Sequence, residues 1–154
     1  MAACIRASPQ ILCADSLNMK LEMEHDILKD AGRLSLFIKN SAKTDFCIGV
    51  AGYPEKHMEA PSLESDIHFL KKKIKLGADY IVTQMFFDNK KFFDFVEICR
   101  KEGINVPIIP GLKPISTLKQ LNILPQRFHC DLPEELIKEV IKCKDNKEVK
   151  EVGI

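Results

Sequence analysis

From residue 45 onward, short apolar runs alternate with stretches of helical periodicity. Residues 45–51 (DFCIGVA) form the apolar, partly β-branched run that a parallel strand buried on both faces requires. Gly52, Tyr53 and Pro54 end it. Ser62 then opens a helix in which Leu63, Ile67, Leu70 and Ile74 share one face, with Gly77 placed to terminate it. Residues 80–87 (YIVTQMFF) predict a second strand. Asp88 caps the next helix, in which Phe92, Phe93, Val96 and Cys99 are expected to point inward before Gly103 stops it. Residues 106–111 (VPIIPG) predict a third strand, whose two prolines suit a short barrel strand that turns at once into a loop. Beyond it the pattern predicts a short helix over 116–124 and a longer one over 133–144. In the longer one Leu136, Ile137, Val140 and Ile141 form the apolar stripe, and Pro133 sits in the first turn.

The strand starts, near residues 45, 80 and 106, are spaced like successive βα units of a parallel sheet or barrel. Three units cannot close a barrel, which takes eight strands and about 250 residues. An open three-stranded parallel sheet with two bare edges is therefore expected. Residues 1–40 are less legible. Ile27, Leu28, Ala31, Leu34 and Ile38 predict an N-terminal helical segment, while residues 1–18 show no period. The chain divides on this reading into a leading segment, 1–40, and a βα domain, 41–154.

Composition narrows the function classes without naming one. Hydrophobic residues make up 45% and charged residues 29%, ordinary values for a globular protein. The formal net charge of +1 gives no broad electrostatic footprint for nucleic acid or an anionic membrane. No apolar run approaches the roughly 20 residues of a membrane-spanning helix, and residues 1–14 lack a secretory cleavage pattern, so a cytoplasmic protein is expected. Of the six cysteines, no two have the spacing of a metal knuckle, and no metal is expected. Cys47 and Cys99 lie in apolar segments and read as small buried hydrophobes.

In a parallel α/β protein the chemistry gathers where the strands end at their C-terminal sides. That rule selects residues 51–61 after the first strand, Gln84, Phe86 and Phe87 on the second, and residues 110–114 with Lys119 and Gln120 after the third. Their mixture of aromatic, amide and cationic groups suggests a small-molecule site, without specifying a reaction. Read singly, Tyr53 covers a barrel end and His57 is a surface residue. His25, His68 and His129 have no assigned role, the lysines of 71–75 read as a solvated helix face, and the phenylalanines of 86–95 read as core.

The order of motifs is more specific. Residues 49–57 (GVAGYPEKH), followed by Glu59, Ala60 and Asp66, then 77–88 (GADYIVTQMFFD), then 108–114 (IIPGLKP), resemble the methylenetetrahydrofolate reductase family. The likeness runs from about residue 44 to 154. It implies the fifth to seventh βα units of a (β/α)8 TIM barrel. It also implies a flavoprotein that uses FAD and NADH or NADPH to reduce 5,10-methylenetetrahydrofolate to 5-methyltetrahydrofolate, in one-carbon and methionine metabolism. By the same resemblance Tyr53, His57, Ala60, Asp66 and Lys73 match FAD contacts, and Gln84 and Gln120 match folate contacts. The family's catalytic glutamate and its Arg-Gly-Asp segment have no counterpart in this sequence, so no catalytic residue is assigned. A truncated barrel is expected on this ground. Its expected partners beyond folate and nicotinamide are a second copy or a complementing chain, and the alternative reading is a non-catalytic fragment or a split subunit acting only with a partner chain.

Overall fold

The computed structural model describes residues 3–7, 10–13, 35, 39–40 and 47–153. The chain runs β1 (Ala3–Ala7), β2 (Gln10–Cys13), β3 (Cys47–Gly52), α1 (Leu63–Lys75), β4 (Tyr80–Met85), α2 (Asn89–Lys101), β5 (Ile108–Gly111), α3 (Gln120–Phe128), α4 (Glu134–Lys142) and α5 (Asn146–Val152). The strands form one sheet in the order β2-β1-β3-β4-β5. Strands β3, β4 and β5 are parallel, and α1 and α2 make the two crossovers between them.

Local chemistry sets the helix ends. The Ser62 side chain accepts from Ser65 N at 3.1 Å, and Asp88 accepts from Lys90 N at 2.8 Å, each satisfying a donor that the first helical turn leaves open. Gly77 (φ 106°) and Gly103 (φ 77°) follow α1 and α2 in a left-handed conformation that costs glycine little. Helix α3 starts later than its periodicity suggests. The Gln120 Oε1 accepts from Ser116 N (2.6 Å) and Thr117 N (3.1 Å), holding those residues in a turn ahead of the helix. The helix then continues through Pro125, which leaves the Leu121 carbonyl without its usual helical donor.

Strand lengths also depart from the apolar runs. β5 begins at Ile108, after Pro107, which has no N–H for the ladder although its carbonyl accepts from Ile81 N at 2.9 Å; Val106 O accepts from Arg100 Nη1 at 3.0 Å. β4 stops at Met85, and Phe86 leaves the ladder to stack on Phe92 (centroids 4.8 Å apart, 11° between planes). Near its end the β4 and β5 ladder is irregular: Thr83 Oγ1 accepts the Gly111 N–H at 3.0 Å. A Cβ on Gly111 would lie 2.1 Å from the Thr83 carbonyl oxygen, so this approach needs glycine.

Two apolar clusters support the ends of the strands. The first packs Val50 and Ile81 of the sheet against Ile67, Leu70, Phe95 and Cys99 of α1 and α2. The second joins Ile115, Leu124, Cys130, Val140 and Val149 beneath the C-terminal helices. On α2 the buried ring is Phe95, 1% exposed, whereas Phe93 is 65% exposed, contrary to the inward position expected for it. Ile141 likewise faces solvent, with Val140 buried in its place. Cys47 is exposed rather than core, because it is the first residue of its strand and lies beyond the helix-covered part of the sheet.

The expectation of two bare edges is corrected at β3, where β1 pairs antiparallel with Ala3 opposite Val50 and Arg6 opposite Cys47, and β2 extends the sheet further. The helix expected over 27–38 lies outside the described residues, except that Ser35 is helical, as are Lys39 and Asn40 just beyond it. Lys39 Nζ pairs with Asp79 Oδ2 at 3.0 Å, and the same carboxylate oxygen accepts from Ile48 N at 2.7 Å. Among the described residues no helix is long and apolar enough to cross a membrane, and no group of three or more His, Cys, Asp or Glu could hold a metal ion.

Candidate functional site

The connection from β3 to α1 is two consecutive turns. Lys56 N donates to Tyr53 O at 3.1 Å, closing a turn with Pro54 at its second position, and Ala60 N donates to His57 O at 3.0 Å. Lys56 carries a positive φ of 75°, unusual for a lysine. Its ammonium reaches forward to donate to His57 O (3.2 Å) and Ala60 O (2.6 Å), so this cation braces its own loop.

The expected site residues of this loop come together. The Tyr53 and His57 rings meet edge to face with centroids 4.6 Å apart. His57 N donates to Asp66 Oδ2 at 2.8 Å, which ties the loop to the first turn of α1. Burial pushes the Tyr53 phenol above its ordinary value, and the carboxylates of Asp66 and Glu59 push it the same way. Asp66 and Lys73 lie seven residues apart along α1, roughly 10 Å at 1.5 Å per residue. We expect Asp66→Ala to cost about 2 kcal/mol in urea unfolding, because it leaves a charge-assisted bond unmade and the His57 N–H without its acceptor. A loss below about 0.5 kcal/mol would mean that this bond does not hold the loop.

Gln84 sits half-buried on β4, its Oε1 accepting from Met85 N at 2.9 Å. With Tyr53, Glu55, Lys56, Phe128 and His129 it lines a recess at the C-terminal ends of β3 and β4. The recess has space of about 10 Å³, enough for a single water. Gln120 is not part of that lining. Its oxygen is engaged by Ser116 and Thr117, which leaves its NH2 group as the portion able to meet a ligand.

Sequence reasoning missed the residues that join these loops. Glu55 Oε1 accepts from Lys91 Nζ at 2.9 Å, and Oε2 accepts from Asp131 N at 3.0 Å. Lys91 also pairs with the Asp131 carboxylate. Glu55 was visible inside the 49–57 motif, but its partners lie 36 and 76 residues away, and no local pattern predicts them. His129, assigned no role from sequence, closes α3 in a left-handed conformation (φ 53°) and lines the recess.

The family model for methylenetetrahydrofolate reductase matches residues 13–154. This chain belongs to the methylenetetrahydrofolate reductase family. Among relatives, methylenetetrahydrofolate reductase (NADH) 1 of Arabidopsis thaliana is 45% identical over 119 residues, covering 71% of this chain and 20% of the relative. Methylenetetrahydrofolate reductase 2 of Saccharomyces cerevisiae is 38% identical over 120 residues, covering 76% and 20%. The probable methylenetetrahydrofolate reductase (NADPH) of Caenorhabditis elegans is 39% identical over 92 residues, covering 60% and 14%. The chain thus spans about a fifth or less of the length of these reductases. An uncharacterized protein from Clostridium thermocellum, which binds two copies of 5-methyl-5,6,7,8-tetrahydrofolic acid, superposes with a TM-score of 0.54 at 24% identity. The superposition covers 76% of this chain and 43% of that one, and supports the fold. Both NADH and NADPH occur in the names of these reductase relatives, so the relatives differ among themselves in the nicotinamide they are named for.

Proposed function

We propose that this chain carries flavin- and folate-contacting parts of a cytosolic methylenetetrahydrofolate reductase, with β3, β4 and β5 as the fifth to seventh strands of a (β/α)8 barrel. Residues 41–154 are its barrel portion and 1–40 a separate leading segment. The observation that carries the reading is the connected unit of Tyr53, His57 and Asp66 beside Gln84, at the strand ends where barrel chemistry gathers.

The residues present fit FAD. The rings of Tyr53 and His57 lie on the loop ahead of α1, and Asp66 and Lys73 follow on the helix roughly 10 Å apart, a spread that suits an extended dinucleotide better than a single ring. FAD held there supplies hydride-transfer chemistry between NADH or NADPH and 5,10-methylenetetrahydrofolate, the step that provides methyl groups for methionine. The protein's share is orientation. Ala60, with its small side chain at the end of the second turn, lets a flat ligand approach the loop. Gln84 offers its NH2 as donor and a second lone pair on Oε1, a match for the mixed donors and acceptors of a pterin. Gln120 adds a second amide donor.

In an active assembly containing this chain, Gln84→Ala is expected to weaken folate binding about tenfold, the loss of one good hydrogen bond, while flavin retention stays unchanged. Equal loss of folate and flavin would contradict the role. A second reading, in which the chain acts only beside a complementing chain or a second copy, is favoured by β5. Among the described residues it is an edge strand, with Ile109 within it 46% exposed and Leu112 just after it 71% exposed.

A further inference from the structure

We propose that Glu55 is a positioning residue: through Lys91 and Asp131 it latches the loop bearing Tyr53 and His57 against α2 and the connection between α3 and α4, and so sets the shape of the recess over Gln84. Among the described residues, the polar contacts that leave this loop run in two directions. One goes to α1 through Asp66, and the other runs through Glu55 alone. Both Glu55 carboxylate oxygens are used, and its side chain is only 10% exposed. Pro54 stiffens the turn in which Glu55 sits, and that turn is closed onto the Tyr53 carbonyl, so movement of Glu55 is passed directly to Tyr53. The loop after β3, the first turn of α2 and the connection after α3 that it joins surround the recess lined by Tyr53, Gln84 and His129. A surface ion pair would be worth little. Here one partner is nearly buried and fully bonded, so cutting the pair leaves a carboxylate without its cation. Glu55 itself lines the recess, which has room for about one water, so the shape of the recess follows the position Glu55 holds. The inference rests on the reading above only for what that ligand is.

The sequence contains two tyrosines and no tryptophan, so Tyr80→Phe makes Tyr53 the sole strong fluorophore of the full chain. Acrylamide quenching at neutral pH then measures how exposed Tyr53 is, in a readout that needs no ligand. In that background, Lys91→Met and Glu55→Ala are each expected to raise the quenching constant about twofold while far-ultraviolet dichroism stays folded, the signature of local rather than global opening. Lys91 is a third exposed on a helix surface, so Lys91→Met keeps the test valid should Glu55→Ala fail to fold. If Lys91→Met lowers the melting temperature but leaves Tyr53 quenching unchanged, the network only staples the fold and the positioning role is overturned. Because flavin is absent from the assay, failure of FAD binding and failure of the latch are separate results.

Discussion

Phe95→Ala is expected to destabilise the protein by about 4 kcal/mol, the range found when a fully buried aromatic ring is deleted and its cavity remains. The ring is 1% exposed and fills the space between α2 and the sheet, beside Val50, Ile67, Leu70 and Ile81. It also supports the site directly. A Cβ placed on Gly52 would sit 3.0 Å from the Phe95 ring, so the ring lies under the last residue of β3, immediately before Tyr53. A domain of this size is held by roughly 5–15 kcal/mol in all, so one ring carries a large fraction of it. Phe93→Ala, two positions earlier on the same helix, removes an equal ring that is 65% exposed and should cost less than about 1 kcal/mol. Urea midpoints for the two variants decide the assignment. Comparable losses would mean that α2 is rotated from the orientation described.

Stability should also fall steeply in alkali. Burial pushes the Cys99 thiol up from an ordinary 9.0 to about 11. In the unfolded chain this thiol loses its proton near pH 9, whereas in the folded protein it keeps the proton to about pH 11. The folded state binds the extra proton across that window. The associated stability is therefore fully present below pH 9 and is lost as pH rises to about 11, a change of about 3 kcal/mol. The Tyr53 phenol, raised by burial, steepens the same limb above pH 10. Lys91 acts in the same direction: burial opposes its charge, but its bonds to Asp131 and Glu55 outweigh that and hold its ammonium above the usual range. Urea unfolding at a series of pH values from 8 to 11 measures the limb. In Cys99→Ala it should be shallower, on a protein that is less stable at neutral pH because of the cavity. An unchanged slope in that variant would show that Cys99 is not the titrating group.

The elements with strong local signals were legible from the chain alone. Ser62, Asp88, Gly77 and Gly103 mark helix ends through capping and left-handed chemistry that acts within a few residues. The three parallel strands follow from apolar runs between those marks. The misreadings have physical causes. On α2, Phe92, Phe93, Phe95 and Val96 make an almost continuous apolar stretch, so helical spacing fits two phases and only packing against Gly52 and Ile81 selects Phe95. Ile137, Val140 and Ile141 pose the same ambiguity on α4. Strands β1 and β2 carry no alternation a sequence reader could use, and their assignment comes from pairing with each other and with β3.

The candidate site divides along the same line. Tyr53, His57, Asp66 and Gln84 were expected from the order of the family's motifs, and the first three form one contacting unit. The Gln84 bond to Met85 and the engagement of Gln120 by Ser116 and Thr117 narrow what each amide can offer, and the resemblance carried neither. Glu55, Lys91 and Asp131 required the fold, because their mutual approach depends on how two connections and the first turn of α2 pack at one end of the sheet.

The most direct test of the functional account is calorimetric titration of the purified full chain with FAD, alongside a folded Tyr53→Ala and Asp66→Ala double variant. The account predicts saturable one-to-one binding by the parent chain and at least about tenfold weaker binding by the double variant. Absence of binding at millimolar FAD, or equal binding by the two proteins, would contradict the assignment of this loop to the flavin.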